Sequence, residues 1–490
     1  MDLFKKKSSR QSAPDTCRFS ALNKYATEKE NTLGKENDFK SNFKIENFEV
    51  TEEFKLAVEY IEAGQQILLI TGQAGTGKSV FIQYLRSQIT KNCVVVAPTG
   101  VAALNVGGQT IHSFFHFPPK PVDLDSIQQV KNRILYEKMD VLIVDEISMV
   151  RADMLDGIDR FLRKNARDEK LPFGGVQVVL IGDLFQLPPV IVRREEAVLF
   201  GGAYDSEFFF SAHSLTDSNL AFVEFTKVFR QSEAIFLSLL SNIREGIELP
   251  DTIDRFNDRC FTDLQLPSGK IPIILTCTNQ SANRTNEFML AKINEPEHVF
   301  EGKLNGQFNI EKEKLPAPYF LKLKPNAQVM FTKNDSGKRW VNGTIGTVEK
   351  SSENSIVVSI SVNENIVTYT VKKETWECLK FIYDYEKNKI KAETIGTYTQ
   401  FPLTLAWAVT IHKSQGLTLD NVIIDLGTGA FASGQVYVAL SRCRSIDNIR
   451  FKRPLREKDI LINPIIKRFY GYLRNLKIPG IDLETSKTLH

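Results

Sequence analysis

A chain of 490 residues with 42% hydrophobic and 25% charged side chains carries enough apolar surface for about three domains with proper cores. The net charge of +3 does not decide for or against nucleic acid, because a basic groove on a balanced surface vanishes in the total. The six cysteines (Cys17, Cys93, Cys260, Cys277, Cys378 and Cys443) form no CxxC pair and no cluster with histidine, so neither a zinc site nor a disulfide framework follows from them.

Residues 1–42 are polar, charged and too poor in apolar side chains to offset the entropy of ordering, and are expected as a disordered tail. Their start, MDLFKKKSSR, lacks the apolar stretch of a signal peptide, and Asp2 and Asp15 interrupt any transit-peptide pattern. No later run approaches the roughly 18 apolar residues of a membrane span, so no membrane partner is expected. From Phe43 onward short apolar runs alternate with stretches of helical length: QILLITG, CVVVAPTG, MDVLIVDE, VQVVLIGD, IPIILTCTN and NVIIDLG. Such runs, bounded by Gly, Pro or Asp, read as strands covered on both faces and predict α/β units with parallel sheets. Cys93 and Cys277 lie beside these runs and are expected as buried thiols in a reducing compartment. From about Lys303 to Thr397 β-branched alternation takes over, as in SIVVSISV and IVTYTVKK, and predicts a small β-barrel inserted into the second α/β unit. The expected division is 43–235 for the first unit, 236–302 with 398–475 for the second, 303–397 for the insertion and 476–490 for a C-terminal tail.

The chemistry begins at ILLITGQAGTGKS, an apolar strand feeding the pattern GxxxxGK[ST]. Gly72, Gly75, Thr76 and Gly77 let the backbone curl so that N–H groups face phosphate oxygens, above the positive end of the following helix. Lys78 is expected to reach the terminal phosphates and Ser79 to hold Mg²⁺. MDVLIVDEIS then places two acids at a strand end: Asp145 as a second Mg²⁺ ligand through water, and Glu146 as the group that orients attacking water. In VVLIGDLFQLPPV, Gln186 follows a third strand closely enough to sense the terminal phosphate. Phosphoryl transfer gains roughly a thousandfold or more from an arginine set against the developing charge; Arg230 in KVFRQ and Arg442 in VALSRCR are the candidates.

These strings, with APTGVAALNVGGQTIHSFF (Ala97–Phe115), DEISMV, PFGGVQVVLIGDLFQLPPV, VFRQ, LAWAVTIHKSQGLTLD and YVALSRCR in this order, resemble the motifs of superfamily-one helicases of the Pif (petite-integration-frequency) branch, with RecD-like enzymes next of kin. The resemblance spans about residues 45–450. It implies two RecA-like P-loop NTPase domains with ATP and Mg²⁺ in the cleft between them, and it matches the inserted segment to an accessory Src-homology-three-like β-barrel. Gly72, Lys78, Ser79, Asp145, Glu146 and Gln186 would line the first wall. Arg230 and Arg442 would reach across as arginine fingers, with Gln415 and Gly416 coupling nucleotide to nucleic acid. The implied activity is an ATP-dependent 5′-to-3′ DNA helicase of genome maintenance, DNA repair and recombination included. It would act as a monomeric motor on single-stranded DNA, duplex junctions and structured DNA such as G-quadruplexes. A bacterial cytoplasm is the expected setting, with nucleus or mitochondrion as the alternative.

For the strand itself, the resemblance assigns backbone-gripping to Pro98, Thr99 and Gly100. His112, Phe114 and Phe115 lie just beyond, where aromatic faces suit a single strand; His112 and Phe114 are the expected contacts and Phe115 the core residue. An insertion near 113–135, with the Pro-rich stretch Phe117–Val122, corresponds to a small strand-separating element. On the second unit Thr410, His412, Lys413 and Ser414 match a DNA-touching motif. In the insertion GKRWVNGTIGTV (Gly337–Val348) offers Lys338, Arg339 and Trp340 to the strand. One departure stands out: relatives carry a glutamine that reads the adenine edge just after Ser/Thr-x-Glu, and VTEEF puts Phe54 there. A phenylalanine can stack or pack but cannot make a bidentate amide contact, so adenine selectivity does not follow from this position. The competing readings are a RecD-like translocase or subunit of a larger DNA-processing complex, a nucleotide-switched binding module, and a small-molecule P-loop kinase. The last leaves the second half of the chain unused.

Overall fold

Strand β1 (Ile67–Gly72) is buried at every position, which requires a covered layer on each side of the sheet. The computed structural model describes residues 49–118, 120–191, 202–216, 219–260, 272–308, 310–362 and 365–475. The expected tails at 1–42 and 476–490, and Pro119 in the Pro-rich stretch, lie outside the described residues. β1 is joined by β2 (Cys93–Ala97), β3 (Gln109–Thr110), β4 (Val141–Val144), β5 (Gln177–Ile181) and β6 (Leu220–Phe225). The order is β3-β2-β4-β5-β1-β6, and every pairing is parallel. All the carboxyl ends therefore open on one edge, where open α/β sheets bind ligands.

Besides the single turn Ile134–Glu137, the helices of this unit are α1 (Glu52–Glu62), α2 (Lys78–Gln88), α3 (Gly100–Asn105), α4 (Ile111–Phe115) and α5 (Ala152–Asn165). Thr51 caps α1 by accepting from the Phe54 N–H, and Glu52 and Glu53 in the first turn suit its dipole. Two more helices follow, α6 (Ala234–Glu245) and α7 (Leu249–Cys260). The expected boundary between residues 235 and 236 falls inside α6, so no break occurs there.

After β7 (Ile273–Thr276) and α8 (Asn279–Ala291) the chain enters its β-rich part. The strands are β8 (His298–Glu301), β9 (Lys303–Gly306), β10 (Phe320–Leu323), β11 (Gln328–Phe331), β12 (Ile345–Ser351), β13 (Ile356–Val362), β14 (Asn365–Val371), β15 (Glu374–Asp384), β16 (Lys389–Gln400) and β17 (Leu403–Leu405). They form three antiparallel sheets: β14-β13-β12-β11-β17, the pair β10-β8, and β15-β16-β9. The strands begin at His298 and end at Leu405, wider than the 303–397 read from alternation, because β8 and β17 are too short to alternate visibly. The five-stranded sheet has its own apolar core around Val329, Phe331, Val348, Val358 and Phe401. The long β15–β16 hairpin belongs instead to the first unit's surface: Phe381 N–H donates to Gln109 Oε1 at 2.9 Å and Ile390 N–H to Asn92 Oδ1 at 3.0 Å.

The chain then completes a second parallel sheet with β18 (Ala408–Thr410), β19 (Val422–Asp425) and β20 (Ile449–Phe451), in the order β18-β7-β19-β20. Helix α9 (Gln435–Leu440) lies between β19 and β20, and α10 (Pro464–Asn475) follows β20. One sequence expectation fails in part. Cys93 and Cys277 are half-buried, whereas Cys443 is the buried one among the described cysteines. Among the described residues no helix is long and apolar enough to cross a membrane.

The two sheets meet where Gly434 opens α9. With φ at +72°, it has no room for a side chain: a Cβ would lie 2.2 Å from the Phe185 carbonyl oxygen and 2.7 Å from that of Gln186. Gly434→Ala is therefore expected to destabilise the protein by about 1–3 kcal/mol, read as a lower melting temperature. Unchanged melting would show that this contact is not tight in solution.

Candidate active site and strand track

The carboxyl ends of β1, β4 and β5 supply the site. The loop after β1 turns back into α2 through Gly75 and Gly77, at φ +87° and +82°, values that glycine takes without strain. A Cβ on Gly75 would stand 2.7 Å from that of Arg230. The loop amides and the start of α2 form an anion cradle. Thr76 is buried and donates to the Gln73 carbonyl at 2.9 Å, while the Ser79 side chain is exposed on the first helical turn. Lys78 Nζ donates to the carbonyls of Gly72 (2.8 Å) and Gln73 (2.9 Å). Burial pushes the Lys78 pKa down, against the pull of Asp183 and Glu146.

Asp145 is buried at the end of β4, and burial together with the adjoining Glu146 pushes its carboxyl up to about 7. Glu146 holds φ 51° and ψ 45°, an uncommon backbone for a side chain of its size and a form of strain found at functional sites. Burial raises its pKa, opposed by Lys78 and Arg442. Gln186, buried after β5, donates to Asp183 at 3.2 Å. From the second unit, Gln415 Nε2 donates to Glu146 Oε2 and to Gln186 Oε1, both at 3.1 Å. Gly416 beside it is exposed with φ +80°.

The two arginines behave differently. Arg230 lies against the phosphate loop and donates to the Ser441 carbonyl at 3.0 Å. Arg442 is 1% exposed, and burial, with Arg230 nearby, lowers its pKa to about 9. Its donors go to the carbonyls of Val438 (2.8 Å), Ser414 (3.3 Å) and Leu417 (3.4 Å) and to Ser441 Oγ (2.7 Å). In this arrangement it braces the 414–417 turn.

Sequence reasoning missed the group at the centre. Asp183 accepts from Gln186, from the Phe185 N–H (3.2 Å), from Arg244 Nε and Nη2 (3.2 Å each) and from the Tyr437 hydroxyl (2.9 Å). Burial alone would raise its pKa, but Arg244, Lys78 and Tyr437 hold it below the usual carboxylate range. The Arg244 guanidinium lies over the rings of both Phe185 (4.4 Å) and Tyr470 (5.1 Å). The Tyr437 oxygen also accepts from the Ala74 N–H of the phosphate loop at 2.8 Å, which joins that loop to α9. The visible signal was Asp183 in GDLFQ, read only for its glutamine.

A hard divalent cation fits the donors: an exposed hydroxyl at Ser79 and the buried Asp145 carboxylate beside Glu146, whose raised pKa a cation would bring down.

The strand motifs are placed unevenly. Thr99 is exposed and caps α3 by accepting from Ala102 N–H at 3.2 Å, with Pro98 half-buried beside it. Gly100 is covered by Ile310, whose Cδ1 would stand 2.8 Å from an added Cβ. His112 is half-buried, and burial with Arg151 lowers its pKa. Phe114 corrects the expectation: like Phe115 it is core, 3% exposed against Tyr136 and Phe381. Thr410 and Ser414 are also buried. Thr410 Oγ1 accepts from Lys413 N–H and Ser414 Oγ donates to the Ile411 carbonyl, so these side chains build the turn that presents His412 and Lys413. In the insertion Trp340 is buried against Phe331, with Arg339 paired to Asp335 and lying over its ring; Lys338 is exposed.

A phosphate loop, two acids and a glutamine on one parallel sheet, met by groups from a second, define a P-loop nucleoside triphosphatase built across two α/β units. A family model described as PIF1-like helicase matches residues 48–247, and one described as Helicase matches 365–478. The chain is 34% identical over 442 residues to the ATP-dependent DNA helicase Pif1 of Bdellovibrio bacteriovorus, covering 88% of this chain and 94% of that protein. The crystal structure of Bacteroides sp Pif1 in complex with ADP-AlF4 matches with TM-score 0.79 at 37% identity, over 87% of this chain and 98% of that one. Bacteroides Pif1 bound to ssDNA matches with TM-score 0.63 at 38% identity over the same shares. The chain belongs to the PIF1-like helicase family.

Two outcomes follow from the site. Tyr437→Phe removes the hydroxyl between Ala74 and Asp183 and leaves a buried N–H unmatched, at a cost of about 1–3 kcal/mol. Thermal unfolding and ATP turnover should both fall; wild-type values in each would show that the hydroxyl carries no link. Phe54 is 0% exposed, its ring 4.5 Å from Phe225 and 5.1 Å from Phe81. Phe54→Gln should therefore lower stability by about 1–3 kcal/mol without sharpening the choice of ATP over GTP. Sharper choice at unchanged melting would show that the position faces the base.

Proposed function

We propose that this chain is an ATP-dependent DNA helicase that moves 5′ to 3′ along single-stranded DNA and separates duplex. The observation that carries this reading is Gln415. It bonds Glu146 and Gln186 across the cleft at 3.1 Å, three residues after His412, so the hydrolytic groups and the strand-facing turn share one short segment. The family's relatives are named ATP-dependent DNA helicases, and solved relatives are bound to ADP-AlF4 and to ssDNA.

In this mechanism the loop amides from Gln73 to Ser79 bind the phosphates, and Lys78 leaves the Gly72 and Gln73 carbonyls to meet the terminal one. Ser79 and, through water, Asp145 would hold Mg²⁺, which would supply charge neutralisation at the phosphates. Glu146, its carboxylate steadied by Gln415, orients the attacking water. Arg230 and Arg442 bring positive charge to the cleft, and Gln186 senses loss of the terminal phosphate. Loss of the phosphate alters the Gln186–Gln415 contact and so the set of the 412–416 turn, the kind of gating motion that closes and opens clefts. Pro98, Thr99, Gly100, His112, His412 and Lys413 hold the strand. The two parallel units are read as RecA-like domains and the five-stranded sheet as the Src-homology-three-like module. A monomeric motor acting on junctions and G-quadruplexes in a bacterial cytoplasm extends the same reading.

Strand displacement with 5′-tailed and 3′-tailed duplexes tests it. Unwinding is expected only with the 5′ tail, together with ATPase activity stimulated by single-stranded DNA. Lys78→Ala should abolish turnover while DNA binding persists. ATPase activity indifferent to single-stranded DNA, or turnover surviving in Lys78→Ala, would sink the proposal.

A further inference from the structure

Phe431 has no place in the roles assigned above. It lies in the loop between β19 and α9 and leaves 61% of its surface exposed. Its ring is nearly parallel to that of His412, with 16° between the planes and 6.2 Å between centroids. β18 and β19 flank β7 in one parallel sheet, so the segments that follow them emerge on the same edge and bring the two rings together. The loop is pinned at its end. Phe431 N–H donates to Oε1 of the buried Gln435 at 3.1 Å, and the next glycine, Gly434, is pressed against the backbone of Phe185 and Gln186. Lys413, adjoining His412, is exposed.

We propose that Phe431 and His412 form a stacking platform for a base of a single-stranded nucleic acid, with Lys413 meeting an adjoining phosphate. The proposal rests on the strand-binding reading of His412 and Lys413 and adds a residue that neither motif nor resemblance supplied. Two flat rings beside a cation match a base joined to a phosphate, and any base has a π-face to offer, so the platform takes strands without regard to sequence. The rings stand on two neighbouring segments, with Phe431 exposed and His412 half-buried. A free nucleotide finds little there, whereas a strand adds phosphate contacts on either side. The pinned loop presents the platform already ordered, which lowers the entropy lost on binding.

The test is binding of labelled oligothymidylate and oligouridylate by fluorescence anisotropy, using the full chain. Phe431→Ala and Phe431→Leu should each weaken binding by about 5- to 100-fold, the range of one lost stacking contact. Phe431→Trp should bind as wild type, and its added fluorescence should be quenched by the oligomer. ATP turnover without nucleic acid should be the same in all three. Binding to either sugar backbone supports the platform, and the pair of probes tells which strand it takes. Wild-type affinity in Phe431→Ala, or an unquenched tryptophan in a variant that binds, overturns the platform alone. If the wild-type chain binds no single strand, the strand-binding reading falls first and the platform with it.

Discussion

A single buried carboxylate sets much of the geometry described above. Asp183 is fully enclosed, yet stays charged because donors converge on it from β5's own loop, from α6 and from α9. Removing one partner of such a buried pair costs about 3–5 kcal/mol, since the other charge stays behind without compensation. The donors are therefore not free to drift. Arg244 holds α6, Tyr437 holds α9 and the phosphate loop, and Gln186 is set at the angle from which Gln415 can reach it. The site depends on this constraint more than on the loop string that first marked it.

That dependence explains what could be read from sequence. Strands buried on both faces announce themselves through continuous apolar runs, and the loop and the acid pair are local strings at strand ends. The contacts of Asp183 are of another kind. Arg244 and Tyr437 are ordinary helical residues until the fold brings them to a carboxylate 61 and 254 positions away. Phe114 and Phe115 show the same limit: adjacent aromatics on the short helix α4 give no period to say which faces solvent, and both turned inward. The β15–β16 hairpin was legible as β structure, but its seat on Gln109 and Asn92 was not.

Thr410, Ser414 and Arg442 add a subtler lesson. Each lies in a string that pointed at DNA or nucleotide, and each is buried. Thr410 accepts from Lys413 N–H, Ser414 closes onto Ile411, and Arg442 ties the carbonyls of Ser414 and Leu417. A motif thus mixes residues that touch a ligand with residues that shape the turn presenting them, and only burial tells them apart.

The braced turn also bears on how energy moves from nucleotide to strand. His412 and Gln415 face different tasks but stand on one segment whose backbone is held at Thr410, Ile411, Ser414 and Leu417. A flexible loop would absorb a shift of Gln415 in its own torsions and pass nothing on. A turn fixed at both ends moves as a body, because interiors this well packed switch between arrangements rather than deform. On the proposed function, loss of a hydrogen bond at Gln186 or Glu146 would shift the segment that carries His412. The two buried tethers from Arg442 would act in this scheme as the axle of the lever, which places a residue expected to serve the phosphates at the service of the strand as well.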